Sequence, residues 1–140
     1  MARILSIDYG KKRTGIAATD PLKIIANPVG TVATKGLIPF LKDYMASNDV
    51  ERIVVGKPSQ LNGQPSESMR YITPFVDLLK KTFPDTPVDF YDERFTSTIA
   101  HQAMIMGGMK KSDRQNKANV DCIAATIILT DYLQSINSQL

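Results

Sequence analysis

Apolar residues along this chain fall into two rhythms: compact short runs, and longer stretches in which they return every three or four positions. The first run predicts a strand over Arg3–Asp8, with Ile4, Leu5 and Ile7. Tyr9-Gly10-Lys11-Lys12 can turn, and Thr14-Gly15-Ile16-Ala17-Ala18 returns as a second strand. A third strand is expected around Ile24 to Val32, interrupted near Asn27-Pro28. Gly36 to Ser47 places Leu37, Phe40, Leu41 and Tyr44 on one helical face, and Pro39 fits only in its first turn. Arg52-Ile53-Val54-Val55, ended by Gly56, suits a strand buried on both faces.

Lys57 to Gly63 reads as a loop, with Asn62-Gly63 a strong turn signal. A helix then runs to about Phe83 with Met69, Ile72, Val76, Leu79 and Phe83 on one face. Pro74 lies inside that pattern, so the helix either kinks there or begins with Thr73 as its cap. Pro84 to Pro87 break the chain before a strand over Val88–Tyr91. Thr96 or Ser97 can cap a helix through about Met106, ended by Gly107-Gly108, and a polar, basic segment follows to Lys117. The final helix is expected from about Ala118 to Leu133 or beyond. Three strands in an antiparallel meander, followed by strands alternating with helices, predict an α/β fold. Its mixed sheet is covered by helices, in one domain spanning residues 1–140.

Bulk properties narrow the class. The 140 residues are 43% hydrophobic and 22% charged, enough for a real core and far from the disordered range. A net charge of +3 permits nucleic acid without demanding it. The cations cluster: Lys11, Lys12 and Arg13 in one group, Lys110, Lys111, Arg114 and Lys117 in another. With the single cysteine Cys122 no intrachain disulfide is possible, and its apolar helix marks it as a small buried hydrophobe. No stretch is long enough to span a membrane, and Asp8 interrupts any secretory apolar core, so a cytoplasmic location is expected. The sole histidine, His101, gives little support to a zinc site or a serine–histidine triad. With no Trp, aromatic stacking platforms look sparse.

The candidate chemistry rests on Asp8, Glu93 and Asp121. Asp8 ends the first strand, Glu93 follows the last one, and Asp121 lies on the apolar side of the final helix, in line with Ala124, Ala125, Ile128 and Tyr132. Each has a plainer reading: a hairpin opener, a solvated loop acid, or a first-turn acid favoured by the helix dipole by about 0.3–1 kcal/mol. Brought together, carboxylates about 4 Å apart repel by roughly 1 kcal/mol per pair in water and about 4 at an effective dielectric near 20. A fold that gathers them normally does so for hard divalent cations such as Mg²⁺. That points to a metal-dependent enzyme acting on phosphates.

Four segments together resemble the YqgF/RuvX family. Ile7-Asp8-Tyr9-Gly10 with Arg13-Thr14-Gly15-Ile16-Ala17 is similar to its opening motif, and Val54-Val55-Gly56-Lys57-Pro58 with Asn62-Gly63 to its glycine–proline loop. Asp92-Glu93-Arg94-Phe95-Thr96-Ser97 resembles its acidic block, and Lys117 with Asp121-Cys122-Ile123-Ala124-Ala125 its closing helix. The departures are Lys57, Ser59 and Gln60 in the loop, Ser97 where Thr is usual, and Pro74 within a helix. The resemblance implies a ribonuclease-H-like fold, a five-stranded mixed sheet flanked by helices. It also implies Asp8, Glu93 and Asp121 as the acidic site, and processing of the 5′ end of pre-16S ribosomal RNA in ribosome biogenesis.

The expected chemistry is phosphodiester hydrolysis with two Mg²⁺ (or Mn²⁺) ions roughly 3.5–4 Å apart held by Asp8, Glu93 and Asp121. Lys11, Arg13, Lys57, Ser59, Asn62, Arg94, Lys110, Lys111, Arg114 and Lys117 are the expected nucleic-acid contacts. The partners implied are a ribosomal RNA precursor or branched DNA, and ribosomal particles, for a monomer or weak homodimer. A Holliday-junction resolvase with the same site, a kinase-like ATPase suggested by Asp8-x-Gly10…Thr14-Gly15, and a non-catalytic RNA-binding assembly factor are the competing functions.

Overall fold

The computed structural model describes residues 2–57, 69–92 and 117–137; for residues 92, 117–122, 135 and 137 it describes the backbone alone. The strands are β1 (Arg3–Asp8), β2 (Arg13–Thr19), β3 (Ala26–Ala33), β4 (Val50–Lys57) and β5 (Val88–Asp92). The helices are α1 (Leu37–Ser47), α2 (Met69–Thr82) and α3 (Lys117–Asn137), and a 3₁₀ turn over Thr34–Gly36 leads into α1. The sheet order is β3-β2-β1-β4-β5. β1 pairs antiparallel with β2 and parallel with β4; β2–β3 is antiparallel and β4–β5 parallel. This is the mixed sheet expected from the meander and the alternating elements.

Both faces of the sheet are covered, and strand alternation sorts the side chains between two layers. Leu5 and Ile7 of β1, Ile16 and Ala18 of β2, and Ile53 and Val55 of β4 pack under α1 and α2. Ile4, Ala17 and Val54 pack instead under α3, against Ala125, Ile128, Leu129 and Tyr132. The unbroken apolar runs in β1 and β4 follow from this, because neither face meets water. α1 contributes Leu37 and Leu41, both fully buried, and α2 contributes Ile72, Phe75, Val76 and Leu79.

Several boundaries differ from the sequence-based expectations. β4 does not stop at Gly56. The ladder with β5 carries it through Gly56↔Tyr91 to Lys57↔Asp92, so backbone pairing overrides the glycine signal. α2 passes through Pro74 rather than starting at Thr73, and its apolar face is anchored on both sides of the proline by Ile72 and Val76. Asn27-Pro28 is accommodated within β3, where a register irregularity falls opposite Ile16/Ala17 on this edge strand. The helix expected through Met106 lies outside the described residues. Among the described residues no helix is long and apolar enough to cross a membrane.

The connection from β2 to β3 is a side-chain-capped turn. The Asp20 carboxylate accepts backbone N–H bonds from Leu22 (3.2 Å), Ile24 (2.7 Å) and Ile25 (2.9 Å). Those bonds, led by the one from Ile25, hold its pKa below the ordinary 3.8. The charged form is therefore the one that stabilises the fold. That contribution is present above the ordinary value and disappears as pH falls through the folded one.

Two outcomes follow. Asp20→Ala lowers the melting temperature at pH 7, and its gap to the parent closes as pH drops below 3.8; thermal unfolding across pH checks it. Leu79→Ala, at a fully buried position, lowers stability by about 2–5 kcal/mol in urea titration.

Candidate active site at the sheet end

Asp8 is the last residue of β1, the central strand of the sheet. Ile4 packs under α3, the Ser6 hydroxyl reaches an α3 carbonyl, and Asp8 is next in that same row. The side chain is half-buried. Its partner across β2 is Gly15, and on the other side Gly56 follows Val55, the partner of Ile7. Both flanking positions are buried and carry no side chain. The carboxylate thus stands between two residues that present only backbone on its face of the sheet.

The turn that follows is braced by hydrogen bonds. The Thr34 hydroxyl donates to the Gly10 carbonyl (2.6 Å), which leaves the buried Thr14 hydroxyl to donate to Thr34 Oγ1 (2.9 Å). Thr14 Oγ1 in turn accepts from the Gly10 N–H (3.5 Å), closing a ring through three residues. The Thr34 N–H also bonds the Lys12 carbonyl at 3.0 Å. Gly10 is needed for close approach: a Cβ there would sit 2.2 Å from the Arg13 carbonyl oxygen.

α3 is aligned by two anchors. The Ser6 hydroxyl donates to the Ala125 carbonyl at 2.5 Å, a bond between residues 119 apart in sequence. Towards the other end of the sheet, Arg52 donates to the Tyr132 hydroxyl at 2.8 Å and pairs with Asp89, and Tyr132 donates to the same Asp89 oxygen at 3.3 Å. Burial pushes the Tyr132 hydroxyl's pKa up, although Arg52 opposes it. Arg52 lies beside Ile4 in the ladder, so α3 runs back along β1 from the Asp8 end. Asp121 precedes Ala125 by four residues, and its backbone is therefore one helical turn further towards that end.

The other expected contacts distribute as follows. Arg13 opens β2 at the Asp8 end and, by alternation from Ala17, falls on the α3 face. Lys57 ends β4 on the opposite face, in the row of Ile53 and Val55. Lys11 Nζ lies 5.0 Å from the Tyr71 ring centroid. Glu93, Ser59, Asn62, Arg94, Lys110, Lys111 and Arg114 lie outside the described residues, as do the side chains of Asp121 and Lys117. Among the described residues no group of three His, Cys, Asp or Glu side chains forms a metal-binding cluster.

Aromatic residues overlooked in the periodicity gather beside the same strand end. Tyr9 stacks on Phe75 with ring centroids 4.5 Å apart and planes inclined by 24°. Tyr71 is exposed on α2 next to them. Their signal was faint, because Phe75 sits one position from the apolar stripe and Tyr9 reads as part of a turn.

Comparison with known proteins gives concordant matches. The model of the family described as "RuvX: Holliday junction resolvase" matches residues 2–135. A protein of Phocaeicola vulgatus named "Putative pre-16S rRNA nuclease" is 62% identical over 135 residues, covering 96% of this chain and 97% of its own. A protein of the same name from Parabacteroides distasonis is 54% identical over 140 residues, the full length of both. Among solved structures, Thermus thermophilus RuvC in complex with a Holliday junction substrate superposes with a TM-score of 0.60 at 13% identity, over 96% of each chain. That likeness shows a ribonuclease-H-like fold.

Gly10→Ala forces the Arg13 carbonyl away and opens the ring around Thr14 and Thr34. We expect a stability loss of about 1–3 kcal/mol, measured as a fall in denaturation midpoint, because a buried hydroxyl loses its partners.

Proposed function

Since the chain belongs to the RuvX family, we propose that it is a metal-dependent nuclease that processes the 5′ end of pre-16S ribosomal RNA. The observation that carries this reading is the setting of Asp8. It is a half-buried carboxylate at the end of the central strand, flanked by Gly15 and Gly56, at the end of the sheet towards which α3 carries Asp121. Glu93 follows directly on Asp92, the last residue of β5, which runs parallel to β1 beyond β4 and in which Tyr91 packs towards α3. In this reading Asp8, Glu93 and Asp121 form the acidic site.

An all-carboxylate donor set built around Asp8, whose sheet neighbours Gly15 and Gly56 carry no side chains, fits Mg²⁺ or Mn²⁺. When bound, such ions supply Lewis-acid polarisation of the phosphate and neutralise the charge that builds up during hydrolysis. The chain's own part is to hold the carboxylates at fixed positions and to grip the backbone. Asp8 is fixed by the β1 ladders on both sides, and Asp121 by the Ser6 and Arg52 anchors of α3. Arg13, on the same face as Asp8, is suited to a phosphate next to the scissile one, and Lys11, Lys57, Arg94, Lys110, Lys111, Arg114 and Lys117 to flanking phosphates. Ser59 and Asn62 are suited to base edges or sugar hydroxyls.

The family's description and the RuvC-like fold support a second reading, cleavage of four-way DNA junctions by the same acids. That reaction needs a two-fold dimer presenting two sites.

Purified protein is expected to shorten a pre-16S 5′ transcript in Mg²⁺ or Mn²⁺ and not in EDTA. Asp8→Asn should reduce cleavage to below about one hundredth, since even outer-shell changes at metal sites cost 10–100-fold, while the melting temperature stays at or above the parent's. Undiminished cleavage by a cleanly purified Asp8→Asn protein overturns the assignment, and a four-way junction in parallel separates the two readings.

A further inference from the structure

On the opposite face of β1 from Asp8, the turn after β1, the 3₁₀ turn and α2 enclose an open groove of about 320 Å³. Its walls include Tyr9, Ile38, Tyr71, Phe75 and Leu78, with Lys35 at the rim. The floor is rigid, because Tyr9 is stacked on the buried Phe75 and its turn is tied to Thr34. At the edge Tyr71 is 40% exposed and Leu78 47%, a notable outlay of apolar surface on a helix whose other face is buried. The Lys11 ammonium lies 5.0 Å from the Tyr71 ring centroid, and Lys12 is exposed in the same turn. Among the described residues no carboxylate lines the groove.

We propose that this groove binds unpaired nucleobases of the substrate strand, stacked on the face of Tyr71 that the Lys11 ammonium does not cover, with Lys11 and Lys35 on the adjoining phosphates. Ring faces presented with ammonium groups, in a wall whose described residues include no acid, match an aromatic base carried on a polyanion. They match an acidic or polar peptide poorly. Placement gives the same answer. Tyr9 is the residue after Asp8, so a strand crossing the sheet's rim from the proposed cleavage site would reach the groove within a few nucleotides. The inference rests on the nuclease reading and extends it: the preferred substrate carries a single-stranded stretch next to the scissile bond. The two tyrosines and the Phe75 stack supply the platform that a chain without Trp lacks on paper.

The test uses the full chain in Ca²⁺ with duplex RNA that is blunt or carries a short unpaired extension, 2-aminopurine being placed in the extension. Stacking quenches the 2-aminopurine, a signal that a purely structural role for Tyr71 would not produce. Wild type is expected to quench and to bind the extended RNA more tightly than the blunt one. Tyr71→Ala should abolish quenching and weaken binding of the extended RNA by roughly 5–100-fold, with blunt RNA unchanged. Tyr71→Phe should retain both signals, and Tyr71→Leu, which keeps apolar bulk without the ring, should behave like Tyr71→Ala.

No quenching by wild type, wild-type quenching in Tyr71→Ala or Tyr71→Leu, or equal weakening on blunt and extended RNA overturns the proposal. So does Tyr71-dependent self-association in sedimentation without an effect on RNA, which assigns the groove to a second copy. The same extension made of DNA distinguishes the source of the base: loss on both supports stacking alone, and loss on RNA only adds recognition of the ribose. Asp8→Asn separates this proposal from the reading beneath it. If that variant still cleaves while quenching persists, the acid-site assignment fails and the groove stands; if it is inactive and quenching is absent, the groove fails alone.

Discussion

β1 is buried on both faces, and this constraint organises everything around it. A strand with helices on each side has no solvent-facing row, so each side chain must satisfy one layer or the other. Leu5 and Ile7 satisfy the α1/α2 layer, and Ile4 and Ser6 the α3 layer. At the end of the strand, where burial relaxes, the same alternation delivers Asp8 to one side and Tyr9 to the other. A carboxylate and an aromatic ring that are neighbours in sequence thereby become the starting points of two different surfaces.

The α3 layer is arranged for close approach. Ser6 is fully buried, and a buried hydroxyl without a partner is costly; it is satisfied by the Ala125 carbonyl, which a larger residue at that position would hold away. Gly15 and Gly56 on either side of Asp8 keep the sheet's surface bare just where the helix begins. Arg52, Asp89 and Tyr132 hold the far end with a charge-assisted cluster that is partly solvent-exposed, so its worth lies in alignment more than in net energy. Two fixed points determine the helix axis, and with it the end of the sheet that Asp121 approaches.

Much of the fold was legible because local patterns and tertiary demands agree. The apolar run of β1, the stripe of Leu37 and Leu41 in α1 and the Ala125–Ile128–Tyr132 line of α3 all mark the faces that are buried. Where pattern and pairing conflicted, pairing prevailed: Gly56 stays within β4 because the β5 ladder extends past it, and Pro74 stays within α2 because residues on both sides of it are packed. The exposed Tyr71 and Leu78 carry no signal of their own in the sequence, since no local rule distinguishes a ring facing water from one facing a groove.

Periodicity sets which residues of an element share a face, and that much the chain determined alone: the α/β class, the apolar stripes of the helices, and the acids standing where strands end and the last helix begins. What it left undecided is which distant elements those faces meet. The Ser6–Ala125 bond joins positions 119 apart, and the Tyr9–Phe75 stack joins two elements with no shared pattern. Such pairings minimise energy over the whole packed molecule, through buried area and hydrogen bonds satisfied together. Only the tertiary structure therefore decided that α3 begins at the Asp8 end of the sheet and that an aromatic groove opens on the other face.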